Sequence, residues 1–162
     1  MCEHCGCRGV EPIAELMDEH FALLDLAGDV RRHLQRGDRV GATATLEQLG
    51  AKLLRHVSRE ERGVFAALKE QGDFCDAVAE LEAEHLAFDI QLDEIDPDSP
   101  TFVTDTTSMM DDLVTHIDKE NLGVFPVTVV TLGARGWATI EAAHEAEASF
   151  LSASPSLPVR DG

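Results

Sequence analysis

The 162-residue chain contains no tyrosine, one tryptophan and seven phenylalanines, so aromatic side chains make up only 5% of it. The lack of tyrosine rules out a tyrosyl-radical mechanism. Positive charge is scarce as well: 13 Lys and Arg face 31 Asp and Glu, a formal net charge of -18 at pH 7. Nucleic acid and anionic membranes would repel such a chain, so neither is expected as a partner. No apolar run approaches the roughly 18 residues that a membrane span requires. The opening residues, Met1-Cys2-Glu3-His4-Cys5-Gly6-Cys7-Arg8, lack the basic start and apolar centre of a secretory signal, which points to the cytoplasm. Cysteines number four, three of them between positions 2 and 7. That distribution does not suit a disulfide framework and leaves metal binding or thiol redox chemistry as the expected use.

What the chain does have is a duplication. His56-Val57-Ser58-Arg59-Glu60-Glu61-Arg62-Gly63-Val64-Phe65 returns as His116-Ile117-Asp118-Lys119-Glu120-Asn121-Leu122-Gly123-Val124-Phe125. Histidine, glutamate, glycine, valine and phenylalanine keep the same register. Upstream, Ala14-Glu15-Leu16 with Glu19-His20-Phe21-Ala22 matches Ala79-Glu80-Leu81 with Glu84-His85-Leu86-Ala87. Each copy reads as a helix with one histidine followed by a helix with His-x3-Glu, a unit that cannot cover its apolar face alone and pairs with its copy. A histidine and a carboxylate four residues apart stack on one helix face, so both can reach one metal ion. In a chain this acidic about one histidine in five has an acid four places on by chance, so the repetition gives the pair its weight.

Hydrophobic periodicity predicts the helices. Ile13, Leu16, Met17, His20, Leu23, Leu24 and Ala27 share the inward face of a first helix that opens at Pro12 and runs out at Arg36-Gly37. A second, from Asp38 to Gln71-Gly72, carries Leu46, Leu49, Leu53, His56, Glu60 and Val64 inward. A third, from Phe74 to Ile95, carries Val78, Leu81, His85, Phe88 and Leu92. After the turn Asp96-Pro97-Asp98-Ser99-Pro100, a fourth opens near Thr101 and carries Phe102, Met109, Leu113, His116, Glu120 and Val124, with Pro126 bending or ending it. Trp137 to Leu151 forms a short fifth helix packed across the others. His33 suits the negative end of the first helix, and His144, among Glu141, Glu145 and Glu147, is expected to be exposed. The expected fold is all-α, an antiparallel up-down-up-down four-helix bundle with a short C-terminal fifth helix. Residues 1–10 form a Cys-rich appendage, 11–151 the bundle and 152–162 a disordered tail.

At about 1.5 Å rise per residue, His20 and His85 lie roughly 12 and 16 Å from the starts of their helices, and His56 and His116 roughly 22 to 24 Å from the ends of theirs. All four rings can then share one layer with Glu60 and Glu120. Buried there without partners, such groups would be strongly unfavourable, and cations remove the penalty. Imidazole with carboxylate suits iron, manganese or zinc. Six ligands are too many for one tetrahedral zinc, whereas two metals about 3.5–4 Å apart sharing the carboxylates fit the count.

Over about residues 11 to 132, the order His20, His56-x3-Glu60, His85, His116-x3-Glu120, with its Gly-Val-Phe continuation, resembles the hemerythrin-like family, specifically its bacterial HHE branch. The resemblance implies a non-haem di-iron centre in which Glu60 and Glu120 bridge the irons, the four histidines terminate them and an oxo or hydroxo group completes the bridge. Each iron then has five donors and keeps an open position. Oxygen-carrying members have a second histidine one turn after the third-helix ligand, where this chain has Asp89. Their final carboxylate stands five residues beyond its histidine, whereas Glu120 stands four beyond His116. The open positions suit a small diatomic or peroxide at or across both irons and shift the expectation from oxygen carriage toward an enzyme acting on hydrogen peroxide or nitric oxide. Reversible O2 or NO binding, iron sensing or storage, and repair of damaged iron centres are the alternatives.

Glu61, about 100° around the helix from Glu60, and Asp89 are candidate proton sources, Asp89 being alternatively a direct or water-mediated ligand or a hydrogen-bond partner behind the ligands. Phe21, Leu24, Phe65, Phe88 and Phe125 fill the surroundings and leave room only for small ligands such as O2, H2O2 and NO. Cys2, Cys5 and Cys7, together with Cys75 or with His4, form a candidate thiolate site for zinc or iron, with flexible reduced thiols as the alternative. The protein is expected to be a monomer or homodimer.

Overall fold

Pro12 and Gly37 bracket the first long helix in the computed structural model, which describes residues 6–72 and 74–152. The first N–H groups of a helix have no partner inside it, so proline near the start loses nothing, and α1 runs Glu11–Gln35. Gly37 takes the positive φ of 71° that a sharp exit needs. Asp38 then caps α2 (Arg39–Glu60), one oxygen accepting from the Gly41 amide at 2.9 Å while the other meets His33 Nδ1 at 2.7 Å. His33 thus belongs to this turn.

The helical path does not stop at Glu60. It passes through a π-helical turn, Glu61–Phe65, into α3 (Ala66–Gln71), which Gly72 ends at φ 89°. After α4 (Cys75–Glu94), α5 (Phe102–Lys119) passes likewise through a second π turn, Glu120–Val124, into α6 (Phe125–Thr131). Pro126 therefore neither ends nor breaks the helix. It stands just after the π turn, and the helical path continues past it to Thr131. α7 spans Ala134–Ala146 rather than Trp137 to Leu151, because the backbone turns extended at Glu147 and folds Phe150 into the core at 6% exposure.

The two π turns stand at matching places in the duplication and have one consequence for packing. A turn closed from i to i+5 brings the fifth residue back over the first, so Phe65 and Phe125 return to the faces of Glu60 and Glu120. Both phenylalanines are fully buried. An unbroken α period puts Val64 and Val124 inward instead; Val64 is buried too, but Val124 is only partly so.

Among the described residues the fold is all helix, and no helix is long and apolar enough to cross a membrane. α1 packs on α2 and α5, and α4 on the same two, so the four long helices close a ring of contacts. α7 lies over α3 and the π turn before it. Two apolar clusters fill the interior, one around Leu23, Leu49, Met109 and Leu113, the other around Leu16, Phe65, Leu68 and Phe125. Burying each such side chain contributes about 1.5–3 kcal/mol. Along every long helix the histidines and glutamates of the repeat fall between these clusters. Of the expected disordered tail, residues 153–162 lie outside the described residues.

Gly63 and Gly123 occupy the same repeat position in opposite surroundings. A Cβ on Gly63 would lie 3.3 Å from Ala143 Cβ and 3.6 Å from the Ile140 Cα, whereas one on Gly123 would meet nothing within 4 Å. Gly123→Ala is therefore expected to stabilise the fold by about 0.5–1 kcal/mol through helix propensity. Gly63→Ala should gain less or lose, because α7 must shift. Urea unfolding of the two variants measures the difference.

Candidate metal centre

All six side chains that the repeat singled out converge in the layer between the apolar clusters, none more than 4% exposed. α1 supplies His20, α2 His56 and Glu60, α4 His85 and α5 His116, while Glu120 opens the second π turn. One atom from each of His20, His56, Glu60 and Glu120 lies within 4.8 Å of the others, and the same holds for Glu60, His85, His116 and Glu120. Both carboxylates belong to both groups, and each divides its oxygens between them. Glu60 Oε1 faces Nε2 of His20 and His56 at 3.5 and 3.2 Å, while its Oε2 faces His85 at 3.6 Å. Glu120 Oε2 faces His20 at 3.1 Å, and its Oε1 faces His116 at 3.2 Å and His85 at 3.7 Å. Two carboxylates so placed can bridge a pair of cations.

Each imidazole is also held from behind. Nδ1 of His56 meets Glu19 Oε2 at 2.6 Å, and Nδ1 of His116 meets Glu84 Oε2 at 2.7 Å, both within one copy of the repeat. Across the copies, Nδ1 of His85 meets Glu61 Oε1 and Nδ1 of His20 meets Asn121 Oδ1, both at 3.0 Å. An acceptor on Nδ1 keeps a proton there, so that the Nε2 lone pair would point inward once a cation takes the place of the second proton. Arg59 donates to Glu19 and Glu15, as Lys119 donates to Glu84 and Glu80, again at matching repeat positions. Arg59 is buried whereas Lys119 is 41% exposed, since α7 covers the first copy and brings His144 within 3.3 Å of Glu15.

The charges in this layer are strongly coupled. Burial opposes a charged His20, but the Glu120 and Glu60 carboxylates beside it prevail and hold its pKa up at about 10. His56, His85 and His116 are likewise raised against burial, each by the carboxylates it faces. Burial pushes Glu60 and Glu120 up, and Glu120 adds to this at Glu60, yet the facing imidazoles hold both below the ordinary carboxylate value. Even so, no well-formed hydrogen bond reaches either oxygen of Glu60 or Glu120, or Nε2 of His20 and His56. His85 and His116 bring their Nε2 atoms to 3.0 Å of each other. Orphaned, inward-facing nitrogen and oxygen donors of this kind fit divalent cations of intermediate softness.

Comparison with protein-family models matches residues 11–128 to the hemerythrin HHE cation-binding domain. The chain belongs to this family. Comparison with curated proteins and with solved structures gave no match. The hemerythrin match and the two His/Glu groups together mark a metal-binding protein.

Other residues expected from this hemerythrin-like sequence fall elsewhere. Glu61 stands beside the His85 ring, 39% exposed. Asp89 is exposed and belongs to neither His/Glu group. Cys7 is buried and disulfide-bonded, its partner outside the described residues along with Cys2, His4 and Cys5. This corrects the thiolate-site expectation for Cys7, because a disulfide sulfur has no thiolate charge to give a metal. Cys75 is a free, exposed thiol whose Sγ donates to the Gly72 carbonyl at 3.7 Å. His144 is largely buried rather than exposed, its pKa lowered by burial and by nearby Arg59. Periodicity missed Glu19, Glu84 and Asn121, although the first two repeat immediately before His20 and His85.

Since His20 is protonated at neutral pH, a cation must displace that proton. Titrating divalent iron into metal-free protein at pH 7 in buffers of different ionisation enthalpy should show at least one proton released per chain, and affinity should climb with pH toward about 10. Glu19→Gln removes the carboxylate behind His56 and should weaken metal affinity about 10- to 100-fold with the helical circular dichroism retained.

Proposed function

We propose that the protein is a non-haem di-iron oxidoreductase that disproportionates or reduces hydrogen peroxide, with residues 11–151 as its working unit. The observation that carries this reading is the pair of His/Glu groups sharing both carboxylates. The closed ring of contacts and the short connections between successive long helices support an antiparallel bundle. His20 and His56 would hold one iron, His85 and His116 the other, and Glu60 and Glu120 would span both, with an oxo or hydroxo bridge completing the set. Two iron ions, each exchanging one electron, supply the two-electron capacity that reduction of peroxide to water and its oxidation to O2 require.

The chain's own residues set the conditions for that chemistry. Phe125 stacks on His20 with centroids 5.4 Å apart, Phe65 stacks on His85 at 5.5 Å, and Phe88 meets His116 edge-on at 5.3 Å. They limit the space beside the rings to small molecules. Glu61, at once hydrogen-bonded to His85 and in contact with solvent, is placed to hold a proton at the border of the site. Disproportionation also balances by itself, two H2O2 giving one O2 and two H2O, whereas nitric oxide reduction draws on an electron donor.

Iron-loaded protein given excess peroxide in an oxygen-electrode cell should evolve one O2 for every two H2O2 over many turnovers. Glu120→Ala should abolish this together with iron retention. A reversible colour change under O2 or NO without peroxide turnover would replace the enzyme by a carrier.

A further inference from the structure

The two copies of the repeat build the two flanks of the centre differently. A cavity of about 390 Å³ between α2 and α4 is lined by Gly50, Val57, Leu86 and Leu92, among others, and reaches His85 beside the carboxylates of Glu61 and Asp89. Its counterpart in the duplication lies between α5 and α1, beside His20. There Met110 stands for Gly50, Ile117 for Val57, Phe21 for Leu86, Leu24 for Asp89 and Asn121 for Glu61. Each of these five makes the wall larger or removes an acid, and Met17 for Glu82 removes another. By contrast, Ala27 for Leu92, Leu23 for Phe88 and Val114 for Leu54 are smaller and leave room that Met110 and Ile117 share in one core cluster. Met110 and Ile117 are at most 1% exposed, so their side chains occupy the volume that is open on the other flank.

The open flank has the chemistry of an entrance. Gly50 leaves the α2 backbone bare where even a Cβ would come within 3.2 Å of Leu92 Cδ1. Leu54 and Leu86, at 64% and 61% exposed, form an apolar mouth. Apolar walls suit small, weakly hydrated molecules, while the carboxylates of Glu61 and Asp89 in a confined space, with Glu82 at the lining paired to Lys69, repel anions more strongly than a flat surface does.

We propose that this cavity is the access route and outer chamber for small neutral ligands such as O2, NO and H2O2 at the His85–His116 half of the centre, with Asp89 and Glu61 excluding anions. Its ligand chemistry rests on the di-iron reading above, whereas the cavity itself does not. The duplication thus sealed one flank and left the other as a selective port.

Two measurements test this separately. Crystals of the full chain under xenon pressure should show xenon among Val57, Phe88 and Leu92, and Leu86→Trp at the exposed mouth or Gly50→Met with Val57→Ile should remove it. No xenon in the native protein would overturn the proposal whether or not iron binds. With iron-loaded protein, stopped-flow association of azide should rise about three- to tenfold in Asp89→Asn, and that of nitric oxide should stay unchanged. Leu86→Trp should slow both. Equal effects of Asp89→Asn on azide and nitric oxide, or none on azide, would remove the anion filter. Failure to retain iron would sink the di-iron reading while leaving the xenon result to decide the cavity.

Discussion

Glu60 and Glu120 lie side by side where water does not reach, and the rest of the interior is arranged around compensating their charge. In a medium of low dielectric constant two adjacent carboxylates repel strongly and cannot be left unpaired. Four imidazoles face them, and on those rings either protons or cations can supply the positive charge. Two apolar clusters, above and below, keep the layer dry and make the compensation necessary. The same dryness strengthens every electrostatic contact within it.

The outer partners turn that constraint into a defined geometry. A ring free to rotate could offer either nitrogen, but each Nδ1 is already engaged, three times by a carboxylate and once by the Asn121 amide. The one neutral partner sits on the sealed flank, and its acidic counterpart, Glu61, sits on the open flank. α7 adds to the asymmetry by covering Arg59 and leaving Lys119 in solvent. Near-twofold symmetry in the inner layer therefore coexists with two very different approaches to it.

The inner layer was legible in the sequence because it is written twice and because helical rise alone brings His20, His56, His85 and His116 to one height. The layer behind it was not. Glu19 and Glu84 are single acids in a chain with 31, and nothing in a helical period separates an acid that turns inward from one that faces water. The π turns escaped for a related reason: a single inserted residue leaves the apolar pattern intact but exchanges Val124 for Phe125 at the core. His144 looked solvated among Glu141, Glu145 and Glu147, and its burial depends on where α7 docks, which Gly63 governs through a close approach that no local pattern reveals. The environment of Cys7 was equally hidden, since spacing alone cannot tell a thiolate from a disulfide.

The hydrogen bonds that cross between copies, Glu61 to His85 and Asn121 to His20, carry one more implication. Neither copy can orient all its own histidines; each borrows an acceptor from its sibling. This is the wiring of a symmetric dimer joined end to end in a single polypeptide. A stand-alone half would be an incomplete device, and two identical halves related by a twofold axis would restore every contact the inner shell makes.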